Sequence, residues 1–152
     1  MQMKDEIVLP AGREQVWHAL NDVDVLRACI PGCQSLEATE EGGFAAVVKV
    51  KVGPIGVTMK GTVTLSDLDP PNGYRISGAG DGGVAGLAKG GAVVALTPEG
   101  EGTRLTYEVD AAVSGKLAQL GARLIDGVAK RLSAQFFEKF AEIVQNGGPA
   151  RA

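Results

Sequence analysis

Apolar residues recur at steps of three and four along the last part of the chain. Leu117, Leu120, Leu124, Val128, Leu132, Phe136, Phe140 and Ile143 fall on one stripe of a helix running from Gly115 to Val144. Lys116, Arg123, Lys130, Glu138, Lys139 and Glu142 lie mostly off that stripe. No proline interrupts the run, and Asn146-Gly147-Gly148-Pro149 supplies a stop. At the usual rise per residue such a helix spans roughly 40 Å. A helix of that length, apolar along one side, needs a large apolar surface to lie on.

The preceding stretch supplies one. Lys4 to Leu9 alternates loosely and reads as a strand, broken by Pro10-Ala11-Gly12. Arg13 to Asn21 reads as a short helix turning Val16, Trp17 and Leu20 inward. Asp22 is placed to cap a second one over Val23 to Cys29, ended by Pro31-Gly32. From there to Val113 the period is two. Phe44, Ala46, Val48, Val50 and Val52 share a face, as do Val57, Met59, Gly61, Val63 and Leu65. Gly53-Pro54-Ile55-Gly56, Asp69-Pro70-Pro71-Asn72-Gly73 and Pro98-Glu99-Gly100-Glu101-Gly102 are turns. Between them run Tyr74 to Gly80 and Val84 to Thr97, and Leu105, Tyr107, Val109, Ala111 and Val113 close the sheet. The order is strand, two short helices, six more strands, five of them located by these runs, then the long helix. That is an α+β domain whose helices cover one face of a curved, seven-stranded antiparallel sheet.

One row of helix side chains does not fill such a sheet, so the sizes of its inward residues decide whether the interior is packed or hollow. Glycine makes up 22 of the 152 residues, against an average near 7%, and glycine and alanine crowd Gly78 to Ala92. In strands these residues bend the sheet, or leave room for a ligand, and the two readings are compatible. A cavity is expected between sheet and helix, walled by Val48, Met59, Leu87 and Tyr107 and by Leu117, Leu120 and Leu124. Phe136 and Phe140 are expected to be ordinary core.

Composition narrows the chemistry. The net charge is −3 with no basic block, which speaks against nucleic acid as a partner. Cys29 and Cys33 lack the further ligands a zinc site requires and read as reduced thiols of a cytoplasmic protein. No segment reaches the roughly 18 apolar residues of a membrane span, and the first residues have no signal-peptide core. His18, the single histidine, reads as a surface residue on the first short helix. The titratable residues on the inward faces are Tyr74 and Tyr107, and Ser114 and Ser133 lack triad context. A binding module without catalytic residues, metal or cofactor is favoured over an enzyme.

Several segments resemble the CoxG subunit family of carbon monoxide dehydrogenase, within the helix-grip (START-like, SRPBCC) superfamily. They are Val16-Trp17-His18-Ala19-Leu20-Asn21-Asp22, Cys29-Ile30-Pro31-Gly32-Cys33, Val50-Lys51-Val52-Gly53-Pro54-Ile55, Lys60-Gly61, Gly102-Thr103-Arg104-Leu105-Thr106-Tyr107 and Gly121-Ala122-Arg123-Leu124-Ile125. The resemblance reaches to about Phe140 and implies one domain over residues 1–146, with 147–152 a disordered tail. Many relatives continue into a linker and an apolar C-terminal tail, whereas this sequence ends at Ala152. It further implies a non-catalytic accessory protein of aerobic carbon monoxide dehydrogenase, or a related molybdenum hydroxylase, acting in maturation or membrane recruitment at the inner face of the cell membrane. The cavity entrance carries over to the loops at Gly53, Pro54 and Ile55, at Gly82 and Gly83, and at Gly115, with Ile55 an exposed apolar tip. A hydrophobic ligand, lipid or quinone, is expected, with Tyr107 as donor to a head-group carbonyl. Two other readings stand beside this one: an enzyme of the polyketide cyclase or aromatase kind, and an assembly factor whose cavity is self-filled.

Overall fold

The computed structural model describes residues 1–147; the expected tail lies, from residue 148 onward, outside the described residues. Strands β1 (Gln2–Leu9), β2 (Cys33–Ala38), β3 (Gly43–Val52), β4 (Ile55–Asp69), β5 (Gly73–Asp81), β6 (Leu87–Glu99) and β7 (Gly102–Val113) form one sheet. Its order is β1-β7-β6-β5-β4-β3-β2, antiparallel throughout. Successive strands from β2 to β7 are simple neighbours, so only β1 is out of sequence order. The chain must therefore cross from one edge of the sheet to the other between β1 and β2. Helices α1 (Arg13–Leu20) and α2 (Val23–Cys29) make that crossing.

Local signals explain both short helices. The Asp22 carboxylate accepts from the backbone N–H groups of Asp24 (2.9 Å) and Val25 (3.1 Å), as its position before the apolar run predicts. Gly32, at φ 75°, then turns the chain into β2 in a conformation that favours glycine. Val16, Ala19 and Leu20 are buried, and the Trp17 ring meets Tyr74 edge-on with centroids 5.4 Å apart.

The sheet is long and sharply curved. Strand β4 runs for 15 residues, where about 5–6 is common, and its ladder with β5 is offset between Ser66 and Asp69. Such irregularities bend a strand and increase its twist. Glycines do the rest: Gly61 pairs with Gly80 and Gly78 with Gly90. A Cβ added at Gly90 would lie 2.4 Å from the carbonyl oxygen of Asp110, and one at Gly78 2.6 Å from that of Thr62. Neighbouring backbone thus occupies the side-chain space, which is what tight bending requires.

The long helix differs from the uninterrupted one expected from the sequence. A single turn, α3 (Lys116–Gln119), precedes α4 (Ala122–Gln145), and Gly121 between them has φ 97° and ψ 149°. That region is essentially reserved for glycine. The apolar stripe cannot report such a break, because Leu117, Leu120 and Leu124 keep helical spacing across it. Helix α4 lies over the concave face. Its C-terminal end is held by Gln15, whose amide donates to the Val144 carbonyl at 3.2 Å, and Arg131 donates to the Lys51 carbonyl at 3.0 Å.

The apolar interior divides in two. One cluster, around Leu9, Val16, Leu96, Leu105, Phe140 and Val144, joins α1, α2 and the end of α4 to the sheet. The other, around Val52, Val57, Ala85, Leu117 and Val128, lies at the opposite end. Ile55 packs against this second cluster and is half-buried, so it is not the exposed tip expected. Val84 is a strongly exposed apolar residue of that region, at 87%.

Candidate functional site

Between α4 and the sheet lie two apolar chambers. The first, of about 540 Å³, is roofed by Leu20, Leu26 and Ile30 of the short helices and by Phe136 and Phe137 of α4. Its floor is the inward face of the central strands, including Phe44, Val48, Val63, Ile76 and Val94. The second, of about 600 Å³, is lined by Val50, Val52, Val57 and Val113 of the sheet and by Leu117, Ile125, Val128 and Leu132 of the helices. Met59, Ala88 and Ala111 line both, so the chambers adjoin across one flexible thioether and two methyl groups. Each volume falls in the range of roughly 300–1,000 Å³ usual for small-molecule sites.

The small inward residues create this space. Gly61, Gly78, Gly80 and Gly90 all line the first chamber. They bend the sheet and leave the concave side without bulk, so the two readings of the glycine-rich stretch meet at the same positions.

Val48 and Met59 lie on the chamber walls and Leu117, 4% exposed, on the second. Leu87 does not: it is 53% exposed and faces a groove on the opposite side of the sheet, beside Lys60 and Asp81. The reason is register. A 3-10 turn at Gly83–Ala85 precedes β6, and the strand then points Ala88, Gly90, Ala92 and Val94 inward. A shift of one residue moves a side chain to the other face. Leu120 packs partly buried against the second cluster. Leu124 covers the β3–β4 turn, where a Cβ on Gly53 would lie 2.8 Å from its Cδ2. Phe136 belongs to the chamber roof rather than to ordinary core, whereas Phe140 is fully buried core.

Tyr107 sits outside both chambers. Its ring stacks on Phe137 with centroids 5.0 Å apart, and it lines a separate recess between β1 and α4. Its hydroxyl is hydrogen-bonded to the Ser133 side chain; burial and the Asp5 carboxylate raise its pKa, and that hydrogen bond offsets part of the rise. Tyr74, the other inward tyrosine, does line the first chamber. It is 6% exposed, and burial pushes its pKa up.

The loops assigned to an entrance converge at one end of the sheet, beside the second chamber. A Cβ at Gly82 would meet the Met59 sulfur at 2.8 Å and the Val57 side chain at 2.9 Å. One at Gly115 would lie 2.9 Å from the Gly86 Cα. Gly53, Gly83 and Gly115 all have positive φ, and Pro54 is exposed at the hairpin tip.

Among the described residues no group of three or more His, Cys, Asp or Glu could hold a metal ion. His18 is exposed. Cys29 and Cys33 are free thiols; burial pushes the Cys29 thiol up to about 11, partly countered by the Lys139 charge.

A long helix gripped by a curved seven-stranded sheet, with two short helices after the first strand, defines a helix-grip protein. Within that class the chain belongs to the CoxG subunit family of carbon monoxide dehydrogenase, whose model matches residues 6–145. It is similar to a conserved protein from Geobacillus kaustophilus of known structure: 33% identity, 96% of each chain covered, TM-score 0.90. More distant likenesses share the fold. A protein from Thermus thermophilus is 19% identical over 93% of this chain and 95% of that one, with TM-score 0.68. The Zhui aromatase/cyclase from a Streptomyces species is 18% identical over 98% and 99%, with TM-score 0.69. No curated protein matches the chain.

Proposed function

We propose that this chain is a non-catalytic accessory protein of an aerobic carbon monoxide dehydrogenase or related molybdenum hydroxylase, and that it carries a hydrophobic ligand, lipid or quinone, in the two adjoining chambers. Its service to the enzyme lies in membrane recruitment, electron transfer or maturation. The observation that carries this reading is the pair of apolar chambers sharing Met59, Ala88 and Ala111. Burying a chain in them is favourable by about 0.8 kcal/mol per CH₂, so a modest tail offsets the cost of association. Membership of the CoxG family supports an association with carbon monoxide dehydrogenase.

Mass spectrometry of the purified protein under mild and denaturing conditions, followed by organic extraction, tests the carrier role. A co-purifying lipid-soluble mass, or saturable uptake of added long-chain lipid or quinone, is expected. A protein that holds neither is an assembly factor with an empty interior. Capture of the hydroxylase on immobilised protein tests the partner.

The aromatase/cyclase kinship carries the fold alone. Acid–base catalysis needs a group with a pKa near the working pH. Tyr74, the buried phenol on the first chamber, is shifted away from that range by burial. The helix-grip interior here favours holding a molecule over transforming one.

A further inference from the structure

The first chamber is apolar on nearly every side, and its wall contains one buried tyrosine. Tyr74 is 6% exposed, lines the chamber, and makes no hydrogen bond to another described residue through its side chain. Among the described residues no sealed side-chain nitrogen or oxygen lacks a partner, so this hydroxyl opens onto space rather than onto packed carbon. Tyr107 differs in both respects, being outside the chambers and engaged with Ser133. The phenol thus offers an unused hydrogen-bonding group to whatever enters the chamber, and aromatic hydroxyls normally find a partner when buried.

We infer that Tyr74 is the polar anchor of the cavity: its hydroxyl donates to the carbonyl of a neutral, chain-tailed ligand whose head sits beneath α1 and α2 and whose tail passes Met59 into the second chamber. This rests on the carrier reading above and fixes the class and direction of the cargo. The head must be neutral, because a carboxylate in the first chamber would meet no buried cation. Lys89, which borders it, is exposed, and an unpaired buried charge is costly. The head accepts rather than donates, since burial keeps the phenol protonated. The tail goes toward Leu117 because the thioether of Met59 and the methyl groups of Ala88 and Ala111 separate the chambers, and a methionine side chain yields readily.

The test uses three probes on the full chain: decyl-benzoquinone, ionised palmitate, and diphenylhexatriene, a hydrocarbon without oxygen. Tyr74→Phe should weaken decyl-benzoquinone binding about tenfold, equivalent to about 1.4 kcal/mol, and leave diphenylhexatriene within about twofold. Tyr107→Phe should change neither. In the wild-type protein the infrared carbonyl stretch of bound decyl-benzoquinone should move to lower frequency, a reading that needs no variant to fold. An unshifted carbonyl, equal quinone affinity in wild type and Tyr74→Phe, or equal loss of quinone and hydrocarbon would overturn the anchor and leave the carrier role standing. Palmitate bound as tightly as the quinone would overturn the neutral head. Failure of the wild type to bind any probe would overturn the carrier reading and the anchor together.

Discussion

Phe136 and Phe140 are one helical turn apart, and their rings stack with centroids 5.9 Å apart, yet they do different work. Phe140 is fully buried in the core, while Phe136 borders the first chamber. Phe140→Ala should cost about 3–5 kcal/mol in chemical denaturation. Phe136→Ala should cost distinctly less, since atoms facing a void lack packing partners on that side. The two cysteines divide in a similar way. Cys33 is partly exposed and Cys29 buried, so a thiol reagent should label Cys33 in the native protein and Cys29 only on unfolding. The Cys29 thiol titrates near 9.0 in the unfolded chain and about 11 in the fold. Between those values the unfolded chain has released a proton that the folded chain retains. Its contribution to stability is therefore complete below about pH 9 and falls as pH rises toward 11. Cys29→Ala should show a shallower alkaline decline of the denaturation midpoint, whatever its absolute stability.

At the scale of elements, the break between α3 and α4 is set by one backbone conformation. A Cβ on Gly121 would meet nothing within 4 Å, so the cost of Gly121→Ala is conformational and should be about 1–3 kcal/mol. Gly127, inside α4, also has open space around it and no positive φ. Gly127→Ala should therefore stabilise by about 0.5–1 kcal/mol. Opposite signs at two exposed glycines six positions apart, measured by urea unfolding, would separate a joint from a plain helical position. Strand β6 shows the same sensitivity on the sheet side. The 3-10 turn at Gly83–Ala85 settles which alternate residues of the strand face inward, and it puts Leu87 outside.

For the whole molecule, the chambers sit between the Phe140 core and the convergence of glycine loops near Gly53, Gly82 and Gly115. No helix among the described residues is long and apolar enough to cross a membrane. Ala111 lines both chambers, and a larger side chain there narrows the passage between them. Ala111→Leu should weaken binding of long-chain probes about tenfold or more while short-chain probes, held within one chamber, lose little. Affinity measured against chain length in the two proteins checks this directly.

Hydrophobic periodicity placed six of the seven strands, the antiparallel sheet and the apolar side of the last helix, because those follow from which residues must leave water; β2, with Leu36 its one buried residue, carried no such run. The Asp22 cap and the glycine-rich bend were legible for a related reason: each depends on near neighbours in the chain. The position of Leu87, the break at Gly121 and the surroundings of the two tyrosines were not. Period two leaves strand phase open wherever an irregular turn precedes the strand, and helical spacing continues unaltered across a single glycine joint. Tyr74 and Tyr107 are both inward by alternation. Only the packed structure gives Tyr107 a partner across the sheet–helix interface in Ser133 and leaves Tyr74 facing the chamber. A hydroxyl's partner is set by residues distant in sequence, and folding alone brings them together.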